Sequence, residues 1–222
     1  MSVRNALPEG PAVDAGPPGR DPSSDTIGLR LLEAAAHLVA TRGLKGLTIA
    51  ELAREAEVSR PTVYRRFQSS DDVVRALLGH RAQRLVARAS RPRANGPGSD
   101  PGGGTGTPGR TEIVDGVLAF GDLFRADPVF QRLLRHEPEV FTRYTLQRIG
   151  RSQRVIHEWI AAALGAAQPG GTVRAGDTHD MALMVLIISQ GALLSGPTVA
   201  DLVDPETWRA ELSRALDAYL RP

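Results

Sequence analysis

TIAELAREAEVSRPTVYRRF, Thr48 to Phe67, is the stretch whose reading decides the fold. It divides into two short helical segments and a tight connection. Thr48 and Glu51 stand in the S/T-x-x-E spacing of a capping box, which predicts that each side chain satisfies an orphan backbone N–H of the other residue. Leu47 and Leu52 flank that start as a hydrophobic staple, and Ala53 and Ala56 continue the apolar face until Glu57 interrupts it. Ser59 then caps a second helix with Pro61 in its first turn, where a missing N–H costs nothing. Val63 and Phe67 lie one helical turn apart and predict one buried face. Thr62, Arg65 and Arg66 point elsewhere, flanked by Tyr64. Two such helices form a helix-turn-helix, in which the second enters the DNA major groove with its N-terminal residues at base edges.

The flanking sequence supports this unit. Ile27, Leu31, Ala35 and Leu38 recur at helical spacing, with Arg42 in the last turn and Gly43 as the stop. This first helix is expected to pack across the other two, with His37 as a structural residue. After the motif, Ser69 caps a fourth helix carrying Asp71 and Asp72 in its first turn, favourable against the helix dipole, and running through Leu77, Leu78 and Leu85 to about Ala89. Charge follows the same division. Residues 25–89 carry 11 Lys/Arg against 7 Asp/Glu, and residues 110–222 carry 12 against 14, so a positive N-terminal part adjoins a slightly acidic remainder. That asymmetry is the electrostatic footprint of a DNA reader.

The register from Thr48 to Phe67, the new helix at Ser69 and the preceding Arg42-Gly43-Leu44 resemble the DNA-binding domain of the TetR (tetracycline repressor) family. The resemblance is detailed over Ile27 to Leu78 and continues beyond as a similarity of helix layout. Two positions depart from it. Glu57 stands where the family often has Gly in the turn, and Ser70 stands where it often has a phosphate-contacting Lys. The resemblance implies a DNA-binding transcriptional regulator whose fourth helix connects the DNA-binding part to a regulatory body. It also implies a homodimer in which the last two helices pack against their copies.

The remaining chain is read as follows. Residues 1–24, rich in Pro and Gly without hydrophobic periodicity, are expected to form a disordered tail. Residues 90–110 form a flexible Gly/Pro-rich loop. Gly104 to Gly109 formally fits G-x-G-x-x-G, but no strand precedes it and no βαβ unit surrounds it, so the dinucleotide reading fails. Residues 111–222 are helical. One helix runs through Val114, Leu118 and Phe124, and Asp127-Pro128 opens a short one. A long helix is predicted after Pro138, through Phe141, Tyr144, Ile149, Ile156, Trp159, Ile160 and Leu164. A helix apolar nearly all round (MALMVLIISQGALL) begins at Asp177 or Thr178, which predicts burial on several sides. Asp204-Pro205 opens the last helix, with Trp208, Leu212, Leu216 and Tyr219 at helical spacing. The fold class is all-α, with about nine helices: a three-helix helix-turn-helix domain and a helical ligand-binding and dimerisation domain.

Enzyme chemistry finds no support. His157-Glu158 begins like H-E-x-x-H, but position 161 is alanine. There is no G-x-S-x-G and no P-loop, and the five histidines are scattered. With no cysteine the chain has neither disulfides nor thiolate ligands. No catalytic residue, metal site or cofactor is expected. The first residues lack the features of a signal peptide, and the apolar run Met181 to Ser189 is too short to span a bilayer, so a cytoplasmic protein without a membrane partner is expected. The expected partner is double-stranded operator DNA, read through Thr48, Ser59, Arg60, Pro61, Thr62, Tyr64, Arg65, Arg66 and Ser69. Within that set Arg60 and Thr62 face base edges, Pro61 faces a thymine methyl, and Thr48, Tyr64, Arg65 and Ser69 hold phosphates. Phe120, Phe124, Phe130, Phe141, Tyr144, Trp159 and Met184 are the candidate pocket residues for a small apolar or aromatic effector. Leu186, Leu193, Trp208, Leu212, Leu216 and Tyr219 are the candidates for a dimer interface. A DNA-binding regulator without an effector, controlled by a partner or by abundance, is the alternative.

Overall fold

The structure, a computed structural model, describes residues 25–91, 109–139, 141–142 and 149–222. The expected N-terminal tail, most of the Gly/Pro-rich loop and Tyr144 lie outside the described residues. Among the described residues there is no strand, residues 138–139 and 141–142 are helical, and nine further α-helices occur. They are α1 (Thr26–Arg42), α2 (Ile49–Glu55), α3 (Arg60–Tyr64), α4 (Ser70–Ala89), α5 (Arg110–Ala126), α6 (Pro128–His136), α7 (Arg151–Ala167), α8 (Thr178–Ser195) and α9 (Pro205–Leu220).

Side-chain caps set most helix starts. Asp25 accepts the Gly28 N–H, Ser69 and Asp72 complete a reciprocal capping box, and Asp127, Asp177 and Asp204 cap α6, α8 and α9. At α2 only half of the expected box forms. Thr48 Oγ1 accepts the Glu51 N–H at 3.1 Å, but the Glu51 carboxylate turns to Arg42 and Arg54, at 2.8 and 2.7 Å. Two guanidinium groups outcompete a single amide for one carboxylate, because charge-assisted hydrogen bonds are the stronger ones.

Two apolar clusters hold the chain. Leu31, Leu38, Leu52, Val63, Phe67, Val73 and Leu77 form the first, and it continues without a break into Phe120, Phe124, Phe130 and Phe141. Ile113, Val117, Ile160, Leu164, Met181, Val185, Leu216 and Leu220 form the second, between α5, α7, α8 and α9. Helix α4 packs against α1, α5 and α7, and so lies between the helix-turn-helix and the body.

Two sequence expectations require correction. The single helix from Pro138 through Leu164 is interrupted: residues 149–150 are not helical, Ile149 is 47% exposed, and α7 restarts at Arg151 with Gly150 as its N-cap. Apolar spacing alone passed across that break. Helix α8 is not buried on several sides either. Its Met181, Ala182, Val185 and Leu186 enter the core, but Met184 and Ile187 are 42% and 52% exposed. The helical stretch Thr178–Thr198 is long and apolar enough by length and composition to cross a membrane, beyond the shorter run read from the sequence. One side of α8 packs into the second apolar cluster through Met181, Ala182, Val185 and Leu186.

Candidate nucleic-acid interface and apolar cavity

The turn between α2 and α3 places Glu57 at φ 52°, the left-handed region that favours glycine. The turn is tied down by Arg30 of α1, which donates from Nη2 to the Ala56 carbonyl at 2.7 Å and lies 3.6 Å from the Glu57 carboxylate. Val58 N–H closes back onto the Ala53 carbonyl at 2.9 Å. Val63 and Phe67 are buried beneath α3, which turns the opposite face outward.

On that outward side the structure brings together most of the residues expected from the sequence. Thr48, Ser59, Arg60, Pro61, Tyr64, Arg65 and Ser69 are exposed, and Thr62 is half-buried. Ser59 Oγ and Thr62 Oγ1 share a hydrogen bond of 2.8 Å, and Arg65 Nη2 donates to the same Thr62 oxygen at 3.2 Å. A chain of polar contacts therefore links the cap of α3 to its last turn. Tyr64 is 58% exposed. Arg66 is placed differently from the rest. Its Nη2 donates to Asp25 Oδ2 at 2.7 Å, which fastens the end of α3 to the cap of α1. Asp25 thus serves α1 and Arg66 together. Its capping role was readable from its place before Thr26; its long-range partner was not.

The Asp72 carboxyl, in the first turn of α4, is held below its ordinary range. Burial pushes it up, but the hydrogen bond and charge of Arg75 and the donors Ser69 and Gln68 outweigh that.

Beyond the helix-turn-helix, a partly open cavity lies between α4, α5, α7, α8 and α9. Phe120, Phe124, Phe130, Phe141 and Trp159, expected as pocket residues, all line it. The aromatic rings form a connected set: Phe124 stacks on Phe130 with centroids 4.1 Å apart, and Phe120 meets Trp159 at 6.1 Å. Met184 is instead exposed and away from the lining. Four of the residues expected at a dimer interface, Leu186, Leu193, Trp208 and Leu212, face this cavity, and Leu216 is fully buried in the second core. Tyr219 is half-buried beneath the Arg174 guanidinium, 4.6 Å from its ring centroid. Helical spacing identified these residues as apolar-facing, but spacing cannot say which neighbour the face meets. The polar lining, chiefly Asp122, Arg125, Gln153, Gln190 and Arg209, was not foreseen. These residues come from four helices and carry no local motif.

Comparisons with known proteins bear directly on this geometry. Residues 31–77, spanning α1 to α4, match the family of bacterial regulatory proteins described as the tetR family. Helix-turn-helix transcriptional regulators of Mycobacterium bovis and Mycobacterium tuberculosis are each 34% identical over 197 residues, covering 89% of this chain and 95% of theirs. The chain belongs to the TetR family. It is a DNA-binding transcriptional regulator and not an enzyme. Among solved structures, the TetR-family transcriptional repressor QsdR of R. erythropolis superposes with a TM-score of 0.65 at 18% identity, over 90% of this chain and 98% of that one. AlkX of a Dietzia strain, a TetR-family repressor implicated in biodegradation of n-alkanes, gives 0.63 at 16% identity, over 88% and 95%. At that identity these two structures establish the shared fold.

Proposed function

We propose that this TetR-family regulator is a cytoplasmic repressor that binds a roughly palindromic operator as a homodimer and is released by a small, largely apolar effector. The observation that carries the reading is the position of α4. Its first turn follows the exposed face of α3 directly, and its Leu78 and Ala82 line the apolar cavity. A molecule filling the cavity therefore touches the helix that carries the DNA-reading unit. Such a molecule releases DNA only by binding the low-affinity arrangement better than the DNA-competent one.

Dimerisation is proposed through α8 and α9. One monomer reads one half-site, and two half-sites a helical turn apart are needed for specificity. Met184 and Ile187 are exposed on one face of α8 beside the half-buried Ile188, and this face suits the contact better than the buried Leu186 and Leu216. On the DNA side, Arg60 and Thr62 are assigned to base edges, Pro61 to a thymine methyl, and Thr48, Tyr64, Arg65 and Ser69 to phosphates.

Selection of bound genomic fragments, followed by footprinting, tests this directly. Arg60→Ala should relax specificity at one base position in each half-site, at a cost of about 1–3 kcal/mol. Tyr64→Phe should weaken all sequences to a similar degree. Identical specificity profiles for the two variants would overturn the assignment. Operator affinity that stays constant across a panel of alkanes, aromatic compounds and acyl chains would remove the effector from the reading.

A further inference from the structure

We infer that the open end of the cavity, at Asp122, Arg125 and Arg209, holds the carboxylate of an effector whose apolar chain fills the space behind it. This rests on the effector reading above and names the ligand class.

All three residues line the cavity, Asp122 and Arg125 from α5 and Arg209 from α9. Their side chains are 43%, 49% and 37% exposed, which places them on the solvent side, whereas Phe120, Phe124 and Phe130 of the same lining are buried. One carboxylate serves both cations. Arg125 donates from Nη2 to Asp122 Oδ1, and Arg209 donates from Nε to Asp122 Oδ2 at 3.3 Å. The cluster therefore carries one net positive charge, and no other charged residue occurs among the described residues of the lining.

The two guanidinium groups are incompletely used. Arg209 keeps its Nη1 and Nη2 donors without a partner among the described residues, and this pair is the planar fork that matches a carboxylate. Arg125 supplies the second charge beside it. Open space is a separate observation. Gly121 precedes Asp122 in α5 and lines the cavity, and a Cβ there would meet nothing within 4 Å. Glycine within a helix costs stability relative to alanine, and close packing does not call for it here. The wall beside the cluster is thus left open to a ligand. An anion seated at this depth keeps part of its hydration, so it avoids the large penalty of a fully buried charge. A cation in the same place is repelled by the net charge. An uncharged chain gains only the apolar contact.

Calorimetric titration of the full chain at neutral pH with octanoate, 1-octanol and octylamine tests the assignment. Octanoate should bind about fivefold tighter than 1-octanol, the gain a partly exposed charge pair provides, and octylamine should bind most weakly. The double variant Arg125→Gln with Arg209→Gln should erase the preference for octanoate. Its operator affinity without a probe should match that of the parent chain, which shows that it is folded. If the double variant loses operator binding, Arg209→Gln alone should narrow the preference about twofold. Octanoate binding no tighter than 1-octanol or octylamine, or a preference that survives these substitutions, overturns the inference while the effector reading stands. Failure of all three probes to bind overturns both.

Discussion

Glu57 holds a left-handed backbone conformation in the turn on which the reading head depends. A side chain in that region costs about 1 kcal/mol, which glycine avoids. The 3.6 Å pairing with Arg30 does not offset it, since the Glu57 carboxylate is almost fully exposed. Glu57→Gly should therefore raise stability by about 1 kcal/mol, read as a higher Tm. A lower Tm would mean that the Arg30 contact matters more than the strain. Arg66 supplies a contrasting case. Its sequence position suggests a DNA contact, but its charge is bound to Asp25. Arg66→Ala should lower the Tm without altering base preference. In a double-mutant cycle with Asp25→Ala, the two should couple by about 0.5–1 kcal/mol, as expected of a partly exposed pair. A coupling near zero would return Arg66 to the DNA-contacting set.

At the scale of helices, carboxylates at helix starts and ends link the fold to pH. Backbone N–H donors hold the Asp177 and Asp204 carboxyls below their ordinary range, and Arg221 and Arg110 do the same for Asp217. The hydrogen bond from Arg54 lowers Glu51. A carboxyl whose pKa is depressed by folding stabilises the protein above its unfolded pKa and ceases to do so as pH falls through the folded value. Thermal melts should therefore show Tm falling from about pH 4 downward. Asp204→Asn keeps a capping oxygen and removes the charge, so it should make that acid limb shallower. An unchanged limb would place the acid sensitivity elsewhere.

Across the whole molecule, the junction between α1 and α6 is narrow and specific. Glu137 Oε1 accepts the Leu44 N–H at 2.8 Å, and the same oxygen occupies the space that a Cβ at Gly43 would need. Gly43 has φ 72°, so both backbone conformation and space call for glycine there. Glu137→Ala should speed hydrogen exchange at Leu44 and cost about 1 kcal/mol. Exchange at Leu44 that stays as slow as in the parent chain would show that the contact holds nothing. The outer face of α8 is the other feature of this scale. Ile187→Asp should convert the proposed dimer into a monomer by light scattering, and with it abolish tight operator binding while leaving the helical content intact. A dimer that persists would move the interface off this face.

The helix-turn-helix was legible in the sequence because its signals are local. Thr48, Ser59, Ser69, Asp127, Asp177 and Asp204 each act on backbone groups within three residues, and Val63 and Phe67 report burial through a spacing of four. Asp25 with Arg66, Leu44 with Glu137, and Gln153 with Gln190 leave no such trace, because each pair closes over a long stretch of chain. Tertiary packing likewise decided which face of α8 stays outside and which of Leu186, Leu193, Trp208 and Leu212 line a cavity. A helix that is apolar all round has no periodicity from which its neighbours could be read, so only packing against α5, α7 and α9 could assign its sides.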